Sequence, residues 1–204
     1  MRRLLVPSAL TLAFALMVPL NGYAQQSVNF SIGGFVPKGV DSRTDGDVLV
    51  NNLDFLAFEL DDFGTASYNG EWEFPLAEHL NASVGIGLTN KSVPSVYADF
   101  VEDDFSEIEQ DLKLRIVPFT ATIRFLPLRR DAPVQPYIGG GVGLFWWRYT
   151  ETGEFVDFDS TIFRETYIGD GAAAGPVILG GVRFGLGSWD LGGFNYLVTA
   201  NIRF

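Results

Sequence analysis

The chain has 204 residues, enough for one medium domain, with 14 Lys and Arg against 25 Asp and Glu, one His and no Cys. A formal charge of −11 excludes nucleic-acid binding as a main activity, because that needs a basic surface. The missing cysteines exclude a disulfide framework, a thiolate metal site and a cysteine nucleophile. Hydrophobic residues reach 47%, with 18 Phe and 23 Gly beside only 19% charged residues, a balance that favours strands over helices.

Residues 1–24 read as an export signal. Arg2 and Arg3 supply the positive start, Leu4 to Leu20 is apolar apart from Ser8 and Thr11, and Gly22-Tyr23-Ala24 places small residues before a predicted cut after Ala24. Pro7 and Pro19 bracket that apolar stretch, leaving it short of the roughly 20 residues of a spanning helix. Removing it leaves 12 basic residues against 25 acidic, a mature charge of −13. Residues 25–204 then form a single domain.

That domain reads as strands with two unlike faces. Val28, Phe30 and Ile32 alternate with Asn29, Ser31 and Gly33. Tyr68, Gly70, Trp72 and Phe74 alternate with Asn69, Glu71 and Glu73, and Ala82, Val84, Ile86 and Leu88 with Ser83, Gly85, Gly87 and Thr89. Alternation over about ten residues is the pattern of a transmembrane barrel strand, and a soluble β-sandwich shares it. In Glu107 to Leu126 the pattern changes phase: Ile108, Leu112, Leu114 and Ile116 share one face before Pro118, whereas Phe119, Ala121, Ile123 and Phe125 are apolar after it. A single long strand with a bulge at Pro118 accounts for this, because a bulge shifts the phase by one and tolerates proline. Its Glu109-Asp111-Lys113-Arg115 half would project above a bilayer.

Strands are expected near 27–35, 67–76, 80–91, 107–127, 136–149, 155–168, 175–186 and 191–204, with a turn at Glu151-Thr152-Gly153-Glu154. Eight is an even number, which returns both termini of a single-chain barrel to the same side. The connections Leu76 to Leu80 and Leu128 to Gln135 are short; Val36 to Thr65 and Lys91 to Ser106 are long and acidic. The expected fold is therefore an all-β, eight-stranded antiparallel up-and-down transmembrane barrel.

At the C-terminus Tyr196, Val198, Ala200, Ile202 and Phe204 share one face. A terminal aromatic in this register resembles the assembly signal of bacterial outer-membrane proteins. With Pro136-Tyr137-Ile138-Gly139-Gly140-Gly141-Val142-Gly143, it makes the chain resemble the small outer-membrane barrels of the OmpW-like and OmpA-transmembrane-like groups. The resemblance implies an outer-membrane location, contact with outer-membrane lipid and lipopolysaccharide, and recognition by the barrel assembly machinery. An OmpW-like chain would also imply passage of solutes or hydrophobic compounds.

Catalytic candidates are weak. His79 falls in a short turn with no Ser-His-acid arrangement around it. Asp41, Asp45 and Asp47 lack calcium-loop spacing and a closing Glu, and Gly139 to Gly143 precedes no helix that would make a phosphate cradle. No enzyme activity, cofactor or metal is expected. Glu71, Glu73, Glu109, Asp111, Lys113, Arg115, Arg124, Arg183 and Arg203 are expected to face the lumen. Ionised groups behind a barrel wall must be paired or hydrated, so they predict a salt-bridge network that fills a narrow barrel. The alternatives are a small channel and a soluble periplasmic ligand-binding barrel.

Overall fold

The computed structural model describes residues 26–37, 48–102, 104–129, 132–157, 159–186, 189–192 and 198–199, with side chains as far as 184. It is all-β. Strands β1 (Ser27–Phe35), β2 (Thr65–Ala77), β3 (Leu80–Val101), β4 (Glu107–Phe125), β5 (Val134–Val156) and β6 (Ile162–Leu186) pair antiparallel, in chain order, in one sheet. The short pieces β7 (Trp189–Gly192) and β8 (Val198–Thr199) both pair with β6. The helical part is small: α1 (Val48–Asn52) and a 3-10 turn at Leu60–Phe63. Among the described residues no helix is long and apolar enough to cross a membrane.

The sheet curls without closing. Arg183 Nη1 on β6 donates to Glu73 Oε1 on β2 at 2.9 Å, although β3, β4 and β5 lie between those strands. Four strand spacings of about 4.8 Å would hold the two backbones ~19 Å apart on a flat sheet, beyond the reach of the two side chains. Strand twist accumulates into this curvature. Among the described residues no pairing joins β1 to β7 or β8.

The connection expected to be long, Lys91 to Ser106, is mostly strand, because β3 runs on to Val101; three further expectations are corrected. The first is the bulge at Pro118. Pairing of β3 with β4 keeps one register on both sides of Pro118, from Ile86↔Phe119 to Thr89↔Ile116, and β4 pairs with β5 without interruption. Burial along β4 alternates unbroken, even-numbered residues facing inward from Ile108 to Arg124. Proline removes one backbone donor without inserting a residue. What changes at Pro118 is the chemistry of the two faces, while the geometry runs straight through.

The second concerns 136–149, 155–168 and 175–186. These three expected strands are two, β5 and β6, because Glu151-Thr152-Gly153-Glu154 is not a turn. A Cβ on Gly153 would sit 2.3 Å from the Glu109 carbonyl oxygen, so this glycine admits the backbone of β4 and does not mark a reversal. The chain reverses at 157–161 instead, where Ser160 takes φ 65° and the Asp159 carboxylate accepts from Thr161 N at 3.0 Å. The 102–106 hairpin has the same form, with Phe105 at φ 67° and Asp104 accepting from Ser106 N at 3.0 Å.

The third correction is to parity. Leu186 pairs with Trp189 at the end of the sheet that holds the Glu78-His79 turn, so β8 runs away from that end, as β1 does. The even count rested on splitting β5 and β6.

Candidate functional site

Two unlike interiors are stacked on the concave face. Toward the short turns, β2 contributes Glu71 and Glu73, β4 Arg124, β5 Tyr137 and β6 Arg183. Alternation along each strand turns these side chains inward together. Arg124 Nη1 donates to Glu73 Oε2 at 2.6 Å and Nη2 to Glu71 Oε2 at 2.5 Å. Arg183 binds both oxygens of Glu73. The amides of Asn81 (2.5 Å) and Asn29 (3.3 Å) add to the same carboxylate. Glu73 is only 2% exposed and Arg124 6%. Two carboxylates face two guanidiniums, so the cluster is neutral, as buried ions must be. Both guanidiniums lie over the Tyr137 ring, with Arg124 Cζ at 5.2 Å and Arg183 Cζ at 5.1 Å from its centre. One row away, Ser83 and Thr122 share a hydrogen bond of 2.6 Å.

A cavity of about 90 Å³ adjoins this cluster, with Glu71, Gly87, Pro118, Thr120, Thr122 and Arg124 in its wall. Glu71 Oε1 and Arg124 Nε are buried without a hydrogen-bond partner among the described residues. Both residues line the cavity, whose wall mixes Thr120 and Thr122 with Ile86, Pro118, Val177 and Leu179.

Away from the short turns the interior is greasy. Leu112, Leu114 and Ile116 of β4 and Phe145 and Tyr149 of β5 pack against Leu49, Leu56, Leu60 and Phe63. The last four come from the β1–β2 connection, which folds over this end of the concave face. Its backbone adds to β3 through Ala57 N to Val96 O (2.8 Å) and Ala98 N to Phe55 O (2.9 Å). A polar clasp helps to fasten it: Asn52 Nδ2 donates to Tyr149 OH and to Glu151 Oε2, each at 2.9 Å. Burial raises the Glu151 carboxyl above its ordinary value, against the lowering effect of its hydrogen bonds with Asn52 and Tyr149. Burial, and then the neighbouring Glu151 charge, raises the Tyr149 phenol as well.

The convex face reverses this order. Beside the salt-bridged interior it exposes Val28, Phe30, Ile32, Ile86, Phe119, Ile123, Phe125, Ile138 and Val142. Beside the greasy interior it exposes Glu109, Asp111, Lys113 and Arg115 of β4 and Arg148 of β5. The expectation that Glu109, Asp111, Lys113 and Arg115 face the lumen is therefore corrected. They share an unbroken strand with Arg124, but odd-numbered positions of β4 point outward.

Of the nine expected lumen charges, the structure brings Glu71, Glu73, Arg124 and Arg183 together. Arg203 lies outside the described residues, as do residues 1–25, Asp41, Asp45, Asp47, Tyr196, Ala200, Ile202 and Phe204. Val198 lies in β8, where only the backbone is described. His79 ties two short turns: its Nδ1 lies 2.8 Å from Leu126 O, and Leu126 N donates to His79 O at 2.8 Å. Among the described residues no group of three His, Cys, Asp or Glu is placed to hold a metal ion.

Tyr137, Asn29 and Asn81 were not foreseen as parts of the charge cluster, and neither was the packing of the β1–β2 connection into the interior. Asn29 left a signal, its place on the polar phase of β1 opposite Val28 and Phe30.

No family model matches the chain, and no curated protein or solved structure is significantly similar to it.

Proposed function

We propose that this chain is an integral outer-membrane β-barrel protein without enzymatic activity, its interior filled by side chains and its acidic loops presented outside the cell. The observation that carries the reading is the opposition of faces in the short-turn half. Nine large apolar residues on the convex side stand against a buried, neutral Glu71–Glu73–Arg124–Arg183 cluster on the concave side. In water that arrangement exposes the wrong face; in lipid it is the favourable one.

The extent of the band supports the same reading. Leu80 and Leu88 mark its two edges on β3, eight residue steps apart. That is about 27 Å along a strand, and a barrel strand's tilt of about 35–45° leaves a height of about 19–22 Å, somewhat under the ~25 Å band of outer-membrane barrels. Tyr68 and Trp146 lie on its far edge, in the row of Leu88 and Val117, where amphipathic rings favour a lipid–water boundary. A closed wall needs one contact more than the described strands make, between β1 and the stretch after Leu186. That contact is parallel unless a further strand intervenes, and the eight-stranded form needs such a strand.

A small solute channel is the second reading, favoured by the cavity that Glu71 and Arg124 line and by the buried atom that each leaves without a hydrogen-bond partner among the described residues. Carbonate extraction of membranes, with gel mobility compared before and after boiling, tests the membrane reading. The expected result is a pellet-bound band whose mobility shifts on heating, and a soluble, heat-insensitive band would refute it. Planar-bilayer recording separates the two readings: a filled interior gives no steady unitary current, and a channel gives one.

A further inference from the structure

The corrected position of Lys113 and Arg115 leaves three cations on the convex wall. On the register of β3, β4, β5 and β6, the apolar row Leu88–Val117–Trp146 is followed by the row Asn90–Arg115–Arg148–Asp170. Arg115 and Arg148 are direct cross-strand partners, and Lys113 follows on the same face, opposite Thr150. All three are exposed, and none forms an ion pair with a described residue. Like charges placed directly opposite each other on a sheet destabilise it. Two guanidiniums in that position, with an ammonium beside them, hold a local positive field on a chain of net charge −11. Asp170, opposite Arg148, and Asp111, two residues from Lys113, offset that field only in part.

From this placement we infer that Lys113, Arg115 and Arg148 form a site on the outer wall for the phosphate of an anionic lipid headgroup, with the acyl chains lying along Trp146, Phe119 and Ile123. The inference rests on the membrane reading above. Three features fit a lipid better than a soluble anion. The cations border the apolar band directly. They sit on the wall and outside the interior. Guanidinium forks suit phosphate oxygens, and the adjoining indole suits the lipid–water boundary.

The test uses the full folded chain in neutral detergent and reads lipid binding by native mass spectrometry. Doubly phosphorylated lipid A, its dephosphorylated form and inorganic phosphate serve as probes. The phosphorylated lipid should bind at least about tenfold more tightly than the dephosphorylated one, given three basic groups each adding to surface attraction. Replacing all three, as Lys113→Gln, Arg115→Gln and Arg148→Gln, should abolish that preference and leave binding of the dephosphorylated lipid unchanged. A second variant, Arg115→Lys with Arg148→Lys, should keep most of it. Equal affinity for the two lipids overturns the inference, as does a triple variant that still discriminates. Saturation by inorganic phosphate at the lipid's own concentration would show a free-anion site and also overturn it. A chain that extracts as soluble protein sinks the membrane reading itself, whereas one that inserts yet ignores phosphorylation sinks this inference alone.

Discussion

The two halves of β4 have the same geometry and opposite chemistry. From Ile108 to Ile116 the inward side chains are apolar except Gln110, and the outward ones are charged; from Phe119 to Phe125 the outward ones are apolar and the inward ones are Thr120, Thr122 and Arg124. Neither register nor pleat changes between them. A strand cannot change which side it presents without a bulge, so the difference lies in the residues themselves, and the proposed membrane reading assigns it to the solvent each half would meet. One half packs like a water-soluble protein, with leucines and Phe63 buried. The other turns its greasy side outward and neutralises its interior with ion pairs.

The comparison is broken most severely at Glu73. Glu73→Ala strips Arg124 and Arg183 of their shared carboxylate and leaves two buried guanidiniums with only Glu71 between them. Unfolding in detergent by denaturant should show a loss of about 3–5 kcal/mol. In the other half, Leu112→Ala empties a fully buried position among leucines. On the proposed membrane reading that half would lie clear of the bilayer, so the loss of about 2–5 kcal/mol should appear equally in detergent and in lipid.

A paired substitution sharpens the contrast on one face of one strand. Ile123→Arg puts a charge in the apolar band and should lower the stability of the chain folded into phosphatidylcholine vesicles by about 2–4 kcal/mol. Asp111→Arg, six steps along the same outward face, should stay within about 0.5 kcal/mol. Equal costs at the two positions would show that the halves share one solvent.

Titration contrasts the clasp on the β1–β2 connection with the hairpin tips. The folded-state pKa of Glu151 is raised from 4.5. Its contribution is therefore complete below that value and is lost as pH rises through the raised one. Asp104 and Asp159 are lowered from 3.8 by hydrogen bonds from Ser106 and Thr161. Their contribution is present above that value and is lost as pH falls. Amide exchange should thus show residues 48–56 better protected on mild acidification, and the amides of Ser106 and Thr161 less protected in stronger acid. Glu151→Gln keeps hydrogen-bonding atoms without the charge, and should remove the first response while leaving the second.

The strands were legible in the sequence because period-two alternation depends on nearest neighbours alone, and so was the placing of Glu71 and Glu73 on one face. The true turns were less so. Gly153 resembles a turn residue in a one-dimensional reading, yet it is present because the Glu109 carbonyl approaches too closely for a Cβ. Ser160 and Phe105, which do take positive φ, carry no glycine to announce it.

What the sequence determined by itself was the β class, the ten-residue rhythm of unlike faces and the charges available to pair. Which face of each strand became interior was decided only in three dimensions. The sheet's curl brings Glu73 of β2 to Arg183 of β6, 110 residues apart, and draws Leu49, Leu56, Leu60 and Phe63 over Leu112 and Phe145. Alternation names two faces without saying which is concave. That choice depends on contacts between strands that no local pattern encodes, and for β4 it placed Lys113 and Arg115 on the outside and Arg124 on the inside of a single unbroken strand.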